Sequence, residues 1–171
     1  EAIGSVNTLV RRDGRLYGYN TDIDGFLYML RRAKISLAGR KAVILGSGGA
    51  SLTAQAAARL EGAREIAVLS HSDLDNCEFI NHRDAEALVN TTPVGMWPDL
   101  DGLSMNLRNL PSITDVVDVI YNPGRTSLLL QAEEMDGEPR HHRHFRWTGP
   151  AHAGPAGQAG GGAVFWQIHP R

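Results

Sequence analysis

The sequence predicts an α/β domain, a mostly parallel sheet with helices on both faces. Three observations predict it. Short apolar runs rich in Val, Ile, Leu and Ala, at 41–45, 66–69, 87–89 and 116–120, read as fully buried strands. Segments of helical spacing alternate with them, and such alternation is how helices come to cover both faces of a parallel sheet. The first strand, a glycine turn, a helix and the second strand together span about 30 residues, the size of one strand–helix–strand unit.

The elements follow in order. Ser5-Val6-Asn7-Thr8-Leu9-Val10 is apolar and β-branched, Arg12-Asp13-Gly14-Arg15 is a turn, and Leu16-Tyr17-Gly18-Tyr19 is a second strand, so a hairpin opens the chain. Thr21 and Asp22 are N-cap types, and Phe26, Leu27, Leu30 and Ala33 recur at helical spacing. That places Asn20-Thr21-Asp22 at a loop-to-helix junction, where side chains are held yet exposed. Leu37–Arg40 is a loop into the buried strand Lys41–Leu45. After Gly46–Ser51 a helix runs to about Leu60, with Leu52, Ala56 and Leu60 as an apolar stripe. Ile66–Leu69 is the second buried strand. Ala87–Val89 ends in Asn90-Thr91-Thr92-Pro93-Val94-Gly95-Met96. Val116–Ile120 ends in Tyr121-Asn122-Pro123, and a helix from about Thr126 to Met135 follows.

Composition bounds the function. With 171 residues, 42% hydrophobic and 21% charged, the chain is globular and long enough for one domain and some extra length. A net charge of −2 argues against nucleic acid or an anionic membrane as partner. The single cysteine, Cys77, leaves no internal disulfide, and a cytoplasmic protein is expected. No apolar run approaches the roughly 20 residues of a membrane-spanning helix. The chain begins Glu1-Ala2-Ile3 in a strand-like stretch, as a fragment would.

The turn Gly46-x-Gly48-x-x-Ser51 sits between a predicted strand and a predicted helix. A first glycine permits a tight turn, a second lets backbone N–H groups approach a pyrophosphate, and the helix N-terminus adds partial positive charge. Serine at the third position is still small enough for close helix–strand packing. In this context the turn points to a Rossmann-like dinucleotide site, although glycine turns without ligands are common. An NAD-selective site usually carries Asp or Glu at the end of the second strand, for the ribose 2′-hydroxyl. Here Ser70-His71-Ser72 stands there, with Asp73 slightly too late in the sequence, so the reading favours NADP over NAD. A plain polar loop is the bland alternative.

With these pieces in order the chain resembles the shikimate dehydrogenase family, cofactor-binding portion. The resemblance rests on five motifs in family order over residues 1 to about 135: Gly4-Ser5-Val6-Asn7-Thr8-Leu9, Gly18-Tyr19-Asn20-Thr21-Asp22, Ile44-Leu45-Gly46-Ser47-Gly48-Gly49-Ala50, Val89-Asn90-Thr91-Thr92-Pro93-Val94-Gly95-Met96 and Val117-Asp118-Val119-Ile120-Tyr121-Asn122-Pro123. It implies a Rossmann-like domain at 36–136 that binds NADP, with residues 1–35 as the end of a substrate domain and the connecting catalytic segment. It implies reversible hydride transfer between 3-dehydroshikimate and shikimate, in aromatic amino-acid biosynthesis. Asp22 then matches the catalytic aspartate that flanks the reacting hydroxyl, Asn7 an asparagine on substrate hydroxyls, and Tyr121 a tyrosine near the substrate carboxylate. Gly46, Ser47, Gly48, Gly49 and Ala50 match the phosphate loop. Ser70, His71 and Ser72 fall at the 2′-phosphate position, Thr91 and Thr92 line the cofactor, and Val119 lies by the nicotinamide. No metal is implied, the substrate is a small molecule, and a homodimer is compatible with the family.

The departures from the family pattern are specific. The catalytic lysine and the substrate-carboxylate serines of the family match no residue here and belong upstream of residue 1, so little dehydrogenase activity is expected of this stretch alone. His71 replaces an arginine that is common in the family, which leaves an NAD-dependent quinate or shikimate dehydrogenase as an alternative. A non-catalytic nucleotide-binding module is another, and a methylenetetrahydrofolate-dehydrogenase-like enzyme is more remote. Residues 137–171 read as an aberrant tail, either frameshifted or disordered. After Glu138 there is no acidic residue, and His141, His142, His144, His152 and His169 fall among glycines and prolines. Back-translation shifted by one base from Trp147 can restore a Met-Leu-Val-x-Gln motif of the family kind. A metal-binding histidine tract is disfavoured, since Arg140-His141-His142-Arg143-His144 lacks helical ligand spacing and any carboxylate.

Overall fold

The computed structural model describes residues 4–136 and 146–148. A hairpin of β1 (Thr8–Arg12) and β2 (Arg15–Tyr19) comes first, then α1 (Asp22–Arg32). The pairing of Arg12 with Arg15 follows from the two-residue turn Asp13-Gly14, both at positive φ, a turn whose twist matches that of the strands it joins. The first strand therefore runs to Arg12, two residues beyond the predicted end.

β3 (Lys41–Leu45), α2 (Gly49–Leu60) and β4 (Glu65–Leu69) form the expected unit, followed by a short α3 (His71–Asp75), β5 (Ala87–Asn90), β6 (Asp115–Asp118) and α4 (Ser127–Asp136). The last described strand is β7 (Arg146–Thr148). The strands stand in the order β4-β3-β5-β6-β7, all parallel. Arg146–Thr148, within the 137–171 stretch, extend the sheet and pair the backbone groups that β6 would otherwise leave at an open edge. The histidine tract, and the frame-shifted reading beyond Thr148, lie outside the described residues.

Alternation along the strands sends side chains to two cores, as a sheet covered on both faces requires. Ala42, Ile44, Ala87, Val89 and Val117 pack with Phe26, Met29 and Leu30 of α1 and with Ala54, Ala57 and Ala58 of α2. Val43, Leu45, Leu88 and Val116 pack on the other face with Leu128, Leu129, Ala132 and Met135 of α4, and with Leu107 and Leu110. Helices thus cover both faces as predicted.

The amino edge of the sheet is held by charge. The guanidinium of Arg40 pairs with the fully buried Asp115 and donates to the Glu86 carbonyl at 2.8 Å. Lys41, almost fully buried, pairs with Asp84 at 2.8 Å and Glu65 at 3.0 Å. The Asp84 pair raises the lysine's pKa against the opposing effect of its burial.

Candidate functional site at the carboxyl edge of the sheet

The first crossover, from β3 through α2, places β4 on one side of β3, and the next places β5 on the other. The carboxyl ends of β3 and β5 therefore flank the point where the strand order reverses, the usual ligand crevice of an open α/β sheet. Every site residue that the resemblance implied after β3, β4, β5 and β6 lies just past the carboxyl end of a strand, on a loop or in the first turn of the helix that follows.

Gly46 leaves β3 with φ +101°, and a Cβ there would meet Thr91 Oγ1 at 2.8 Å. Only glycine fits. The Thr91 hydroxyl donates to the Leu45 carbonyl at 2.5 Å and its N–H donates to the same oxygen at 2.9 Å, which closes the two loops on each other. The Gly46 N–H donates to Leu69 O at 2.8 Å and ties the turn to the end of β4. Gly48 differs from Gly46. It is the N-cap of α2, no side chain caps the helix, and a Cβ on it would meet nothing within 4 Å. The first amides of α2 thus take no hydrogen bond from a capping side chain, the state in which a helix N-terminus can receive a phosphate.

Beneath the Thr91-Thr92 loop lies a polar network that the sequence reading did not single out. Asn90 is buried, and its Oδ1 accepts from the Thr92 hydroxyl at 2.7 Å and the Thr92 N–H at 3.1 Å. Its amide donates to Asp118 Oδ1, which also accepts the Ile120 N–H at 3.0 Å. Asp118 Oδ2 accepts the hydroxyl of the buried Thr126 at 2.6 Å. Burial pushes the Asp118 carboxyl above the usual range, while the bonds from Thr126, Ile120 and Asn90 pull it back. Both threonine hydroxyls of the loop are thereby committed to protein partners, so these residues shape the crevice through their backbone. A polar residue closing each of two apolar runs, Val89-Asn90 and Val117-Asp118, was the available signal.

The segment before α1 reaches the same place. Asn20 donates to Ser5 O and to Thr53 Oγ1 of α2, each at 3.2 Å, and a Cβ on Gly49 would lie 3.4 Å from Ser5 Oγ. The 5–22 segment therefore sits over the first turns of α2. Asn7 Oδ1 accepts the Thr21 N–H at 3.1 Å, the Thr21 hydroxyl at 3.3 Å and the Thr8 hydroxyl at 3.0 Å, which leaves the two amide hydrogens of Asn7 as its outward groups. Thr21, not Asp22, is the N-cap of α1. Asp22 is the first helical residue, exposed, and its carboxylate takes no hydrogen bond from the described residues. A capping role does not explain it.

Tyr121 is 67% exposed just after β6. The next residue's carbonyl accepts the Trp97 N–H at 3.0 Å, and Val119, half-buried, donates its N–H to Asn90 O at 3.1 Å. No hydrogen bond among the described residues joins Tyr121 to the Asn7–Asp22 group.

At the end of β4, Ser70 caps α3. Its N–H and hydroxyl donate to Asp73 Oδ2 at 2.7 and 2.6 Å, and its oxygen lies 2.9 Å from Ser72 Oγ. The Ser70 hydroxyl bond holds the Asp73 carboxyl below the ordinary carboxylate range. His71 pairs with Asp75 at 2.9 Å.

No protein-family profile matches the chain. It is similar to the NADP-dependent shikimate dehydrogenase of Clostridium perfringens, 35% identical over 149 residues, which cover 78% of this chain and 55% of that protein. Among solved structures it resembles shikimate 5-dehydrogenase of Thermus thermophilus in complex with NADP(H) and shikimate, with a TM-score of 0.65 and 34% identity over 77% of this chain and 54% of the other. It also resembles the Listeria monocytogenes enzyme in complex with shikimate and NAD, with a TM-score of 0.68 and 26% identity over 88% and 59%. The chain spans about half the length of the curated relatives it matches. With this identity along the stretch they share, and the same parallel α/β fold, the chain belongs to the shikimate dehydrogenase family.

Proposed function

We propose that this chain is the cofactor-holding part of an NADP-dependent shikimate dehydrogenase, a cytoplasmic oxidoreductase acting on a CH–OH group. The observation that carries the reading is the open glycine turn. Gly46 is required by the protein's own packing, whereas among the described residues a Cβ on Gly48 would meet nothing within 4 Å and no side chain caps α2. Those residues fit a pyrophosphate, so Gly46 to Ala50 would hold it, with the Thr91-Thr92 loop as the adjoining wall.

The bound nicotinamide supplies the hydride acceptor or donor. The chain's own residues arrange the other reactant. Asp22, exposed and without a hydrogen-bond partner among the described residues, offers a carboxylate that can accept a hydrogen bond from the reacting hydroxyl of shikimate. Asn7, its oxygen already committed, is left to donate from its amide to a second substrate hydroxyl. Val119 would lie by the nicotinamide ring, and Tyr121 would reach the substrate carboxylate. The lysine that the resemblance implies for proton transfer matches no described position.

The test is a titration of the purified chain with NADPH, followed by nicotinamide fluorescence. Saturable binding that is lost in Gly48→Asp, with the melting temperature kept, supports the reading, because that side chain enters free space yet places charge against the phosphates. Equal binding by both proteins rejects it.

A further inference from the structure

We infer that Asp118 is a positioning residue for the nicotinamide end of the crevice, holding Val119 where the chain leaves β6. The inference rests on the proposed dinucleotide site and deepens it.

Val116-Val117-Asp118-Val119-Ile120 is one run of strand-forming residues broken by a single carboxylate. β6 nevertheless ends at Asp118. The short Asp118 side chain takes the N–H of Ile120, two residues on, at 3.0 Å, and a donor bonded in this way is lost to a continuing ladder. Val119 lies inside that turn, half-buried, and donates its own N–H to the Asn90 carbonyl at 3.1 Å. Both peptide groups that flank Val119 are therefore held, one by the Asn90 backbone and one by the Asp118 carboxylate.

The carboxylate is itself braced. Asp118 is fully buried; its Oδ1 also accepts the Asn90 amide at 3.1 Å, and its Oδ2 accepts the hydroxyl of the buried Thr126 at 2.6 Å. Asn90 stands directly before the Thr91-Thr92 loop and Thr126 directly before α4, so the turn is fixed from the adjoining wall of the crevice and from the helix behind it. A leucine at 118 would leave three donors without this acceptor and remove the turn. Asparagine forms the same turn through its side-chain oxygen and would keep it.

The experiment compares, by calorimetry on the full chain, the dissociation constants of NADPH and of 2′-phospho-ADP-ribose, which lacks only the nicotinamide. The unaltered chain is expected to bind NADPH the more tightly. Asp118→Leu is expected to weaken NADPH about tenfold and the nicotinamide-free ligand by less than about twofold. Asp118→Asn is expected to keep both constants near their original values. A loss shared equally by the two ligands is what a merely structural carboxylate would give, and it overturns the inference. So does the absence of any loss in Asp118→Leu, or a loss in Asp118→Asn as large as in Asp118→Leu. Thr126→Val strips Oδ2 of its donor at nearly constant shape, and carries the test if Asp118→Leu does not melt cooperatively. In it a selective loss of about threefold for NADPH supports the inference, and no selective loss overturns it. Equal affinity of the unaltered chain for both ligands overturns the inference and leaves the phosphate turn standing. Binding of neither overturns the dinucleotide site itself.

Discussion

Asn90 and Asp118 are register partners on β5 and β6, and the Asn90 amide donates to Asp118 Oδ1 at 3.1 Å, so two central strands end in one buried polar pair. Asn90→Ala would leave the Asp118 oxygen short of a donor and release the Thr92 loop. The expected loss is about 2 kcal/mol in urea unfolding, together with weaker dinucleotide binding. Unchanged stability would show that water or a shifted side chain replaces the amide.

Asp118 also makes stability depend on pH. Its folded pKa is raised, so the folded chain holds this proton more tightly than the unfolded one. That contribution is full below the unfolded carboxyl value of about 3.9 and is lost as pH rises through the folded value. The melting temperature of Asp118→Asn relative to the original chain should therefore increase as pH rises from about 4. A constant difference across that range rejects the assignment.

The two glycines of the turn should separate. Gly46→Ala combines a positive φ with a 2.8 Å approach to Thr91 Oγ1, and is expected to cost about 2–3 kcal/mol. Gly48→Ala enters open space at an ordinary φ and should stay within about 1 kcal/mol. Thermal melts of the pair decide it.

Every residue of β2 is exposed, as is Leu9 of β1, so the hairpin has little packing of its own. Asn20 is what fastens it to α2. In Asn20→Ala, amide hydrogen exchange within residues 8–19 should speed up several-fold while β3 and β5 keep their protection. Equal acceleration in the sheet would mean that Asn20 supports the whole domain.

Arg40→Met would strip the buried Asp115 of its cation. The expected loss is about 3 kcal/mol, with the affinity for a dinucleotide unaltered in the folded fraction.

The long elements were legible because their signals are local. Apolar runs marked β3, β4, β5 and β6, and 3.6-residue spacing marked α1; the stripe expected for α2 was misplaced, since Leu60 is 68% exposed and the buried face is Ala54, Ala57 and Ala58. What escaped depends on contacts between segments. β6 stops at Asp118 rather than Ile120, because the Ile120 N–H turns back to the Asp118 side chain. α3 buries no residue and so has no stripe, although Ser70-x-x-Asp73 is a capping pattern visible in the sequence. The site residues came from motifs. The roles of Asn90 and Asp118 needed the register that sets them side by side, and the reach of Asp73 needed the turn that returns it to Ser70.

All the sheet's strands point the same way, so its two ends have different occupations. Arg40, Lys41, Glu65, Asp84, Glu86 and Asp115 cluster where the strands begin, and the glycine turn, Thr91, Val119 and Tyr121 gather where they finish. A change in the opening cluster therefore alters heat tolerance without touching the ligand edge, whereas Gly46, Asn90 and Asp118 at the other end bear on both. A lineage could retune the first end without disturbing the second.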